Sequence, residues 1–217
     1  MYDCWKILTD RPTEKKTLHD LYGHVSCRVN YSVGDWIKDV KNIFDLYSKN
    51  SKTFIFVGGT GLYFNALLNG LSQIPQIPEE IRDFANSCDL SFFLKALNVN
   101  DPDILEKIDT NNRRRVQRAW EVLEATGKSM LYWQSKNSSP LISASNATLL
   151  LVEFEKEGLA NRISNRVNHM LECGVIKEVE QVYNTCWDKK LPFAKAIGAE
   201  DIVSYLNGEI SLSLIHI

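Results

Sequence analysis

The sequence predicts an α/β protein that carries a small helical insertion. Two short apolar runs, residues 53–57 and 147–154, have the β-branched, aromatic and aliphatic content of buried strands. Each run leads into a helical pattern, as strands do in parallel α/β folds. Between them, residues 73–142 contain short helical patterns separated by proline, aspartate and asparagine. We therefore expect a core domain made of residues 1–72 and 143–217, interrupted by a helical insertion domain at 73–142.

The first half of the core contains one helix and one strand–turn–helix unit. Apolar residues recur at three- and four-residue steps over residues 35–47, which predicts an amphipathic helix that packs on a sheet. Residues 53–57 then form the first predicted strand. It stops at Gly58-Gly59-Thr60-Gly61, and a helical pattern over 62–68 follows.

The insertion and the second half of the core have clear helix boundaries. Asp89 and Asp101-Pro102 are typical helix starts, and Asn111 or Asn112 is expected to cap a helix that Thr126-Gly127 closes. After the strand at 147–154, a long helix carries an apolar stripe, and further helices follow at 175–183 and 199–206. The stripe consists of Leu159, Ile163, Val167 and Met170.

Composition limits the classes of protein to which the chain can belong. The chain has 217 residues, 44% hydrophobic and 24% charged, which is typical of a folded globular protein. Its five cysteines form no C-x-x-C pair, which indicates a reducing, cytosol-like compartment. No apolar run reaches the roughly 20 residues of a membrane span, and we expect no membrane partner. With a net charge of −2, any nucleic-acid contact must come from a local basic patch.

Three groups of residues could carry chemistry. Gly58 and Gly59 with Thr60 lie before a helix N-terminus, where backbone N–H groups can bind an anion; the alternative is a tight turn without a ligand. Arg113, Arg114, Arg115 and Arg118 form a solvent-facing basic ridge, with Arg114 and Arg118 nearly opposite the apolar face of their helix and Arg115 to one side. This ridge could contact nucleic-acid phosphates or could be only a solvated charged face.

The third group is the pair Arg162 and Arg166 on the helix after the second strand. Arg166 falls at the edge of the apolar stripe, where a guanidinium is costly unless it meets an anion. A buried Asp or Glu partner would serve structurally, and a diphosphate would serve functionally. The chain contains no G-x-x-x-x-G-K-[ST] loop and no supported Ser/His/Asp or Cys/His arrangement.

Four blocks in order resemble the tRNA dimethylallyltransferase (tRNA isopentenyltransferase) family. The first block is 57–64 with 66–71 and 74–75, and the second is 101–108 with 112–122 and 126–129. The third is Arg162-Ile163, Arg166-Val167, Met170-Leu171, Gly174 and Glu178-Val179, and the fourth is 195–198 with 205–209. The likeness covers nearly the whole chain, and the four blocks together are specific where each alone is weak.

The resemblance implies a P-loop-NTPase-like parallel-sheet core with an all-helical, tRNA-binding insertion. Such an enzyme transfers a dimethylallyl group from dimethylallyl diphosphate to N6 of the adenosine 3′-adjacent to the tRNA anticodon, with Mg²⁺. It would be a cytoplasmic monomer, with an organellar location as the open alternative, and would bind the anticodon stem-loop after flipping the acceptor base.

The resemblance also implies roles for individual residues. Thr60 and Arg166 would be catalytic, with Thr60 contacting the tRNA near the reacting centre. The diphosphate would be bound by Gly58, Gly59, Arg162 and Arg166. The further tRNA contacts would be Arg82, Arg114, Arg115, Val116, Gln117, Arg118, Lys195 and Gly198.

The two ends of the chain depart from the family pattern. The glycine-rich P-loop and the Asp-Ser strand that supplies the general base are expected upstream of Met1, together with the Mg²⁺ ligands. A C-terminal helix is expected after Glu209. We therefore expect an incomplete core and negligible turnover by this chain. A non-catalytic tRNA-binding remnant is the rival interpretation, and an enzyme acting on free adenylate is disfavoured by the insertion.

Overall fold

Helices make up the regular structure of this chain. A computed structural model describes residues 1–12, 17–47, 52–136 and 138–213, so the last four residues of the predicted second core segment lie outside it. The helices of the described residues are α1 (Val33–Tyr47), α2 (Gly61–Asn69), α3 (Glu79–Ser87), α4 (Leu90–Asn100), α5 (Pro102–Leu105), α6 (Arg113–Thr126), α7 (Met130–Gln134), α8 (Lys156–Glu172), α9 (Val175–Cys186) and α10 (Ala199–Leu206). Single 3₁₀ turns occur at Ala144–Asn146 and Pro192–Lys195.

The predicted P-loop-like parallel-sheet α/β core is wrong for this structure. Among the described residues no β-strand forms, and Tyr2 and Val25 make only an isolated parallel bridge. Both predicted strands lack regular structure, and their side chains face solvent: Ile55 and Leu150 are 84% and 88% exposed. A strand needs a second strand to complete its hydrogen bonds. The run 53–57 and residues 149–154 of the second run belong to different compact units, and neither unit provides such a partner among its described residues.

The helices within residues 73–142 begin and end where their capping residues predict. The Asp89 carboxylate accepts a hydrogen bond from the Phe92 N–H at 2.9 Å, which starts α4. The Asn112 side chain accepts from the Arg115 N–H at 3.3 Å, and Gly127 ends α6 in the left-handed conformation with φ of 64°. The predicted boundaries of α6 are therefore confirmed.

We call residues Tyr47–Thr148 the middle unit. Its core is formed where α3 and α4 pack against α6 and α5 packs against α4. The buried side chains at this junction are Ala85, Phe93, Leu97, Ile104, Val116, Ala119 and Trp120. The Phe93 and Trp120 ring centroids lie 5.5 Å apart at the centre of this aromatic core.

We call Met1–Leu46 together with Leu149–Ile217 the terminal unit. Its core is formed by α9, α10 and the N-terminal segment, with Trp5, Val179 and Phe193 buried. The Trp5 indole Nε1 donates a hydrogen bond to the Phe193 carbonyl oxygen at 2.9 Å. Only the C-terminal part of helix α8 packs against this unit. Leu159 and Ile163, in the N-terminal half of its predicted apolar stripe, are exposed.

A single carboxylate fixes the N-terminal segment to α9. Glu178 accepts hydrogen bonds from the backbone N–H groups of Lys6, Ile7 and Leu8 at 2.8, 3.0 and 2.9 Å. These donors belong to irregular chain and would otherwise lack protein partners. The carboxylate therefore replaces the hydrogen bonds that a regular element would have made.

Replacing Glu178 by Ala should destabilise the terminal unit. Loss of three hydrogen bonds to a charged acceptor is expected to lower the free energy of unfolding by about 2–4 kcal/mol. Urea unfolding followed by tryptophan fluorescence would measure it, since Trp5 is buried in the core of this unit. Glu180→Ala on the exposed face of α9 is the matched control, and equal losses in both variants would contradict the assigned role.

Candidate functional site

The glycine turn in the middle unit is an open, backbone-lined surface. Gly58, Gly59, Thr60 and Gly61 are all exposed, and a Cβ added at Gly59 or Gly61 would meet no atom within 4 Å. None of the three glycines has a positive φ, so the backbone conformation does not require glycine here. The lack of a side chain leaves the backbone accessible. Thr60 occupies the N-cap of α2 but makes no capping hydrogen bond, which leaves its hydroxyl available to a ligand. The turn thus keeps the geometry of an anion-binding helix N-terminus.

Arg114 and Arg115 of α6 project away from the middle unit's core. Val116 and Trp120 are buried on one face, and Arg114 and Arg115 are exposed on the other. A hollow of about 520 Å³ lies beside them. It is lined by Lys107, Ile108, Asn112, Arg114, Arg115, Arg118, Met130 and Gln134. Four of these residues are cationic and none is acidic, so the hollow is suited to an anion.

Arg118 forms the partly buried edge of this hollow. Its Nη1 lies 3.7 Å from Oε2 of Glu121, whose side chain is largely buried. Burial lowers the pKa of the Arg118 guanidinium, Glu121 opposes that shift, and the neighbouring charge of Arg82 lowers it further. An arginine remains protonated at neutral pH under such conditions. The structure therefore brings Arg82, on α3, into the same basic region as Arg118.

Three neighbours of these arginines on α6 have structural positions. Val116 is fully buried in the apolar core. The Gln117 amide donates to Oε1 of Glu121 at 2.9 Å and to Oδ1 of Asn86 at 3.1 Å. Arg113 donates to Oε1 of Gln117 at 2.9 Å and to the Cys88 carbonyl oxygen at 2.7 Å, which ties α6 to the C-terminal end of α3.

The two arginines of α8 lie in the terminal unit and are both exposed. The Arg162 guanidinium stacks over the Phe154 ring, 4.5 Å from its centroid. Nε of Arg166 lies 3.6 Å from Oδ2 of Asp10, and these side chains are 55% and 68% exposed. The carboxylate that meets Arg166 is thus exposed, unlike the buried Asp or Glu that was the structural alternative to a diphosphate. Both guanidiniums can reach a solvent-borne anion.

Lys195 and Gly198 flank the turn before α10 in the terminal unit. Lys195 is exposed at the end of the 3₁₀ turn. Gly198 has φ of +83°, a conformation that side chains rarely adopt, and its backbone begins α10. Here the glycine is required by the turn itself.

The described residues do not fit a metal ion. No group of three or more His, Cys, Asp or Glu side chains in the described ranges could hold one. Helix lengths there also exclude a bilayer-crossing helix. The described residues therefore offer no ligand set for the predicted Mg²⁺.

Several residues near the basic hollow were not singled out from the sequence. Lys107, Met130 and Gln134 line it together with the predicted arginines. On and around α7, Lys128 and Lys136 both donate to the Tyr132 hydroxyl, at 3.2 and 2.7 Å. The four-residue spacing of these three residues was the available signal, because it places them on one side of a helical turn.

The middle unit therefore presents an arginine-lined, anion-binding surface of the kind found in proteins that bind polyphosphates or nucleic acids. The profile of the IPP transferase family matches residues 1–216 of the chain. The chain belongs to the IPP transferase family.

Named relatives extend this family match. The tRNA dimethylallyltransferase of Ruegeria sp. (strain TM1040) is 40% identical over 215 residues, which cover 98% of this chain and 72% of the relative. That of Roseobacter denitrificans is 42% identical over 214 residues, covering 97% and 74%.

Solved structures agree with the family assignment. The tRNA isopentenylpyrophosphate transferase of Bacillus halodurans matches with a TM-score of 0.64 and 26% identity, covering 99% of this chain and 68% of that one. A eukaryotic dimethylallyltransferase acting on tRNA has a TM-score of 0.76 at 24% identity, covering 97% and 55%. The second likeness shows the fold alone.

Neighbouring arginines of α6 should differ in their contribution to stability. Arg113→Gln removes hydrogen bonds to Gln117 and to carbonyls at the end of α3, and should lower the free energy of unfolding by about 1–3 kcal/mol. Arg114→Gln should stay within about 0.5 kcal/mol of the native chain, because Arg114 is exposed. Urea unfolding followed by circular dichroism measures both, and the reverse order would show that the two roles are exchanged.

Proposed function

We propose that this chain acts in tRNA modification, as a transferase that moves a dimethylallyl group from dimethylallyl diphosphate to N6 of the adenosine 3′-adjacent to the tRNA anticodon. The observation that carries the proposal is the family match over residues 1–216, together with relatives of that name at 40% identity or more. The arginine-lined hollow and the two exposed arginines of α8 supply groups that both substrates need.

The proposed reaction is a substitution at an allylic carbon. The N6 amine forms a bond to that carbon while the carbon–oxygen bond to the diphosphate breaks, and the electron pair leaves with the diphosphate. The amine then loses its proton to a base. Catalysis therefore requires cations or N–H groups for the leaving anion and a group that orients the amine.

We assign diphosphate binding to Arg162 and Arg166 in the terminal unit. Both guanidiniums are exposed, and planar guanidiniums bind phosphate oxygens in pairs. Arg166 must exchange Asp10 for the diphosphate, since the two are already paired. In the middle unit we assign the backbone of Gly58 and Gly59 to phosphate contact and the free Thr60 hydroxyl to the substrate near the reacting centre.

We assign tRNA contact to the basic region of the middle unit and to Lys195 with Gly198 in the terminal unit. Arg82, Arg114, Arg115 and Arg118 would neutralise phosphates of the anticodon stem-loop. Val116 and Gln117 support these contacts from the buried side, because they hold α6 in place. We also propose that the protein acts as a monomer.

Transfer and binding should be measured together on the 217-residue chain. Labelled dimethylallyl diphosphate is mixed with a tRNA that has adenosine at the target position, and with a control tRNA that has guanosine there. Label in the first tRNA alone supports the proposal, and label in free AMP to the same extent would favour the adenylate-acting class. Salt-sensitive binding of the stem-loop without any transfer would favour the non-catalytic tRNA-binding protein. The absence of both transfer and binding would refute the proposal.

Substitutions in the two units should separate the two substrates. Arg114→Gln/Arg115→Gln should weaken stem-loop binding by about tenfold near 0.1 M salt, because two phosphates are no longer neutralised, and should leave inorganic diphosphate binding unchanged. Arg166→Gln should weaken the binding of inorganic diphosphate and leave stem-loop binding unchanged. Fluorescence anisotropy would measure stem-loop binding, and calorimetry would measure diphosphate binding.

Arg28→Gln, at an exposed arginine of the terminal unit, is the matched control. It should change neither affinity. If Arg166→Gln weakened stem-loop binding and spared diphosphate binding, the assignment of that arginine would be wrong.

A further inference from the structure

Two lysines on either side of α7 converge on one phenol oxygen. Nζ of Lys128 lies 3.2 Å from the Tyr132 hydroxyl oxygen and Nζ of Lys136 lies 2.7 Å from it, so the two nitrogens are within about 6 Å of each other. The same ammonium groups lie 4.4 and 4.5 Å from the centroid of the Tyr132 ring. We call these three residues the lysine clasp.

The lysine clasp concentrates positive charge without a carboxylate to balance it. Neither lysine forms an ion pair with any described residue, and α7 itself, Met130–Gln134, contains no acidic residue. The two ammonium groups, that of Lys136 first, lower the pKa of the Tyr132 phenol. Two like charges held this close repel each other, and a bound anion relieves that repulsion.

The clasp and the basic hollow lie on different sides of the same short helix. Met130 and Gln134 line the hollow, and on a helix Tyr132 is turned about 200° away from Met130. A helix with its side chains is about 10–12 Å across. A small anion in the hollow therefore does not reach the clasp, whereas a chain of phosphates can occupy both.

We propose that the lysine clasp is a second phosphate-binding site for RNA, which extends the arginine surface of α6 across α7. The ligand is the RNA sugar–phosphate backbone, read without regard to base sequence, because lysine ammonium groups act as point charges. This inference rests on the proposed tRNA-modifying function and adds a contact region to it.

The test is the salt dependence of stem-loop binding by the full chain. Lys128→Gln/Lys136→Gln should weaken binding by about fivefold or more near 0.1 M salt. It should also reduce the slope of log affinity against log salt by about 0.7–0.9 for each phosphate that the variant no longer neutralises. Lys128→Arg/Lys136→Arg keeps the charge and should restore the slope, which excludes misfolding as the cause.

Two further variants define the site. Tyr132→Phe removes the hydroxyl that gathers the lysines and should weaken binding without changing the slope, since both charges remain. Lys95→Gln/Lys177→Gln removes two exposed lysines elsewhere and should behave as the native chain.

Different results would contradict the clasp proposal alone or both proposals together. If the native chain binds the stem-loop and the clasp variant matches the Lys95/Lys177 control, the clasp proposal alone is wrong. If the native chain does not bind the stem-loop, both proposals are wrong. If the clasp variant loses affinity for millimolar inorganic phosphate but keeps the stem-loop affinity and salt slope of the native chain, the site binds free phosphate and the RNA assignment is overturned.

Discussion

Burial of one face of α6 is the constraint on which the middle unit depends. Val116 and Trp120 are covered by α3 and α4, and this packing fixes the rotation of α6 about its axis. Because side chains are set 100° apart around a helix, the same rotation directs Arg114 and Arg118 toward the hollow. The apolar core thereby determines where the positive charge is presented, and a change of core packing would move the charge with it.

Polar side chains on α6 form a hydrogen-bonded network beside its apolar face. Gln117 and Glu121 are both buried, and each has a hydrogen-bond partner within the network. Unpaired, such groups would cost more than the network contributes. Arg113 joins the network from the first turn of α6 and contacts the end of α3. The run of consecutive arginines therefore divides into one structural cation and two that are available to ligands.

Capping residues close in the sequence predicted the helices within residues 73–142. Features that depend on contacts between distant residues could not be predicted from the sequence. Asn112 and Gly127 determine the ends of α6 through hydrogen bonds and backbone conformation within a few residues, so the sequence alone shows them. The strand at 53–57 depended on a partner that its pattern cannot reveal, and the sheet prediction was wrong for that reason. Glu178 binds backbone about 170 residues away, and no spacing rule indicates such a contact.

Carboxylate pairing divides the exposed cations into two functional kinds. Arg166 is paired with Asp10 and Arg118 with Glu121, so an anion that binds either must displace or share a carboxylate. At Arg166, such an exchange favours an anion that carries several charges, as a diphosphate does. Arg114, Arg115 and the lysine clasp have no carboxylate at ion-pair distance within the described ranges, and they can bind successive singly charged phosphates without exchange. Arg166 and Arg118 therefore bind an anion only by exchange with a carboxylate, whereas Arg114, Arg115 and the lysine clasp bind one directly.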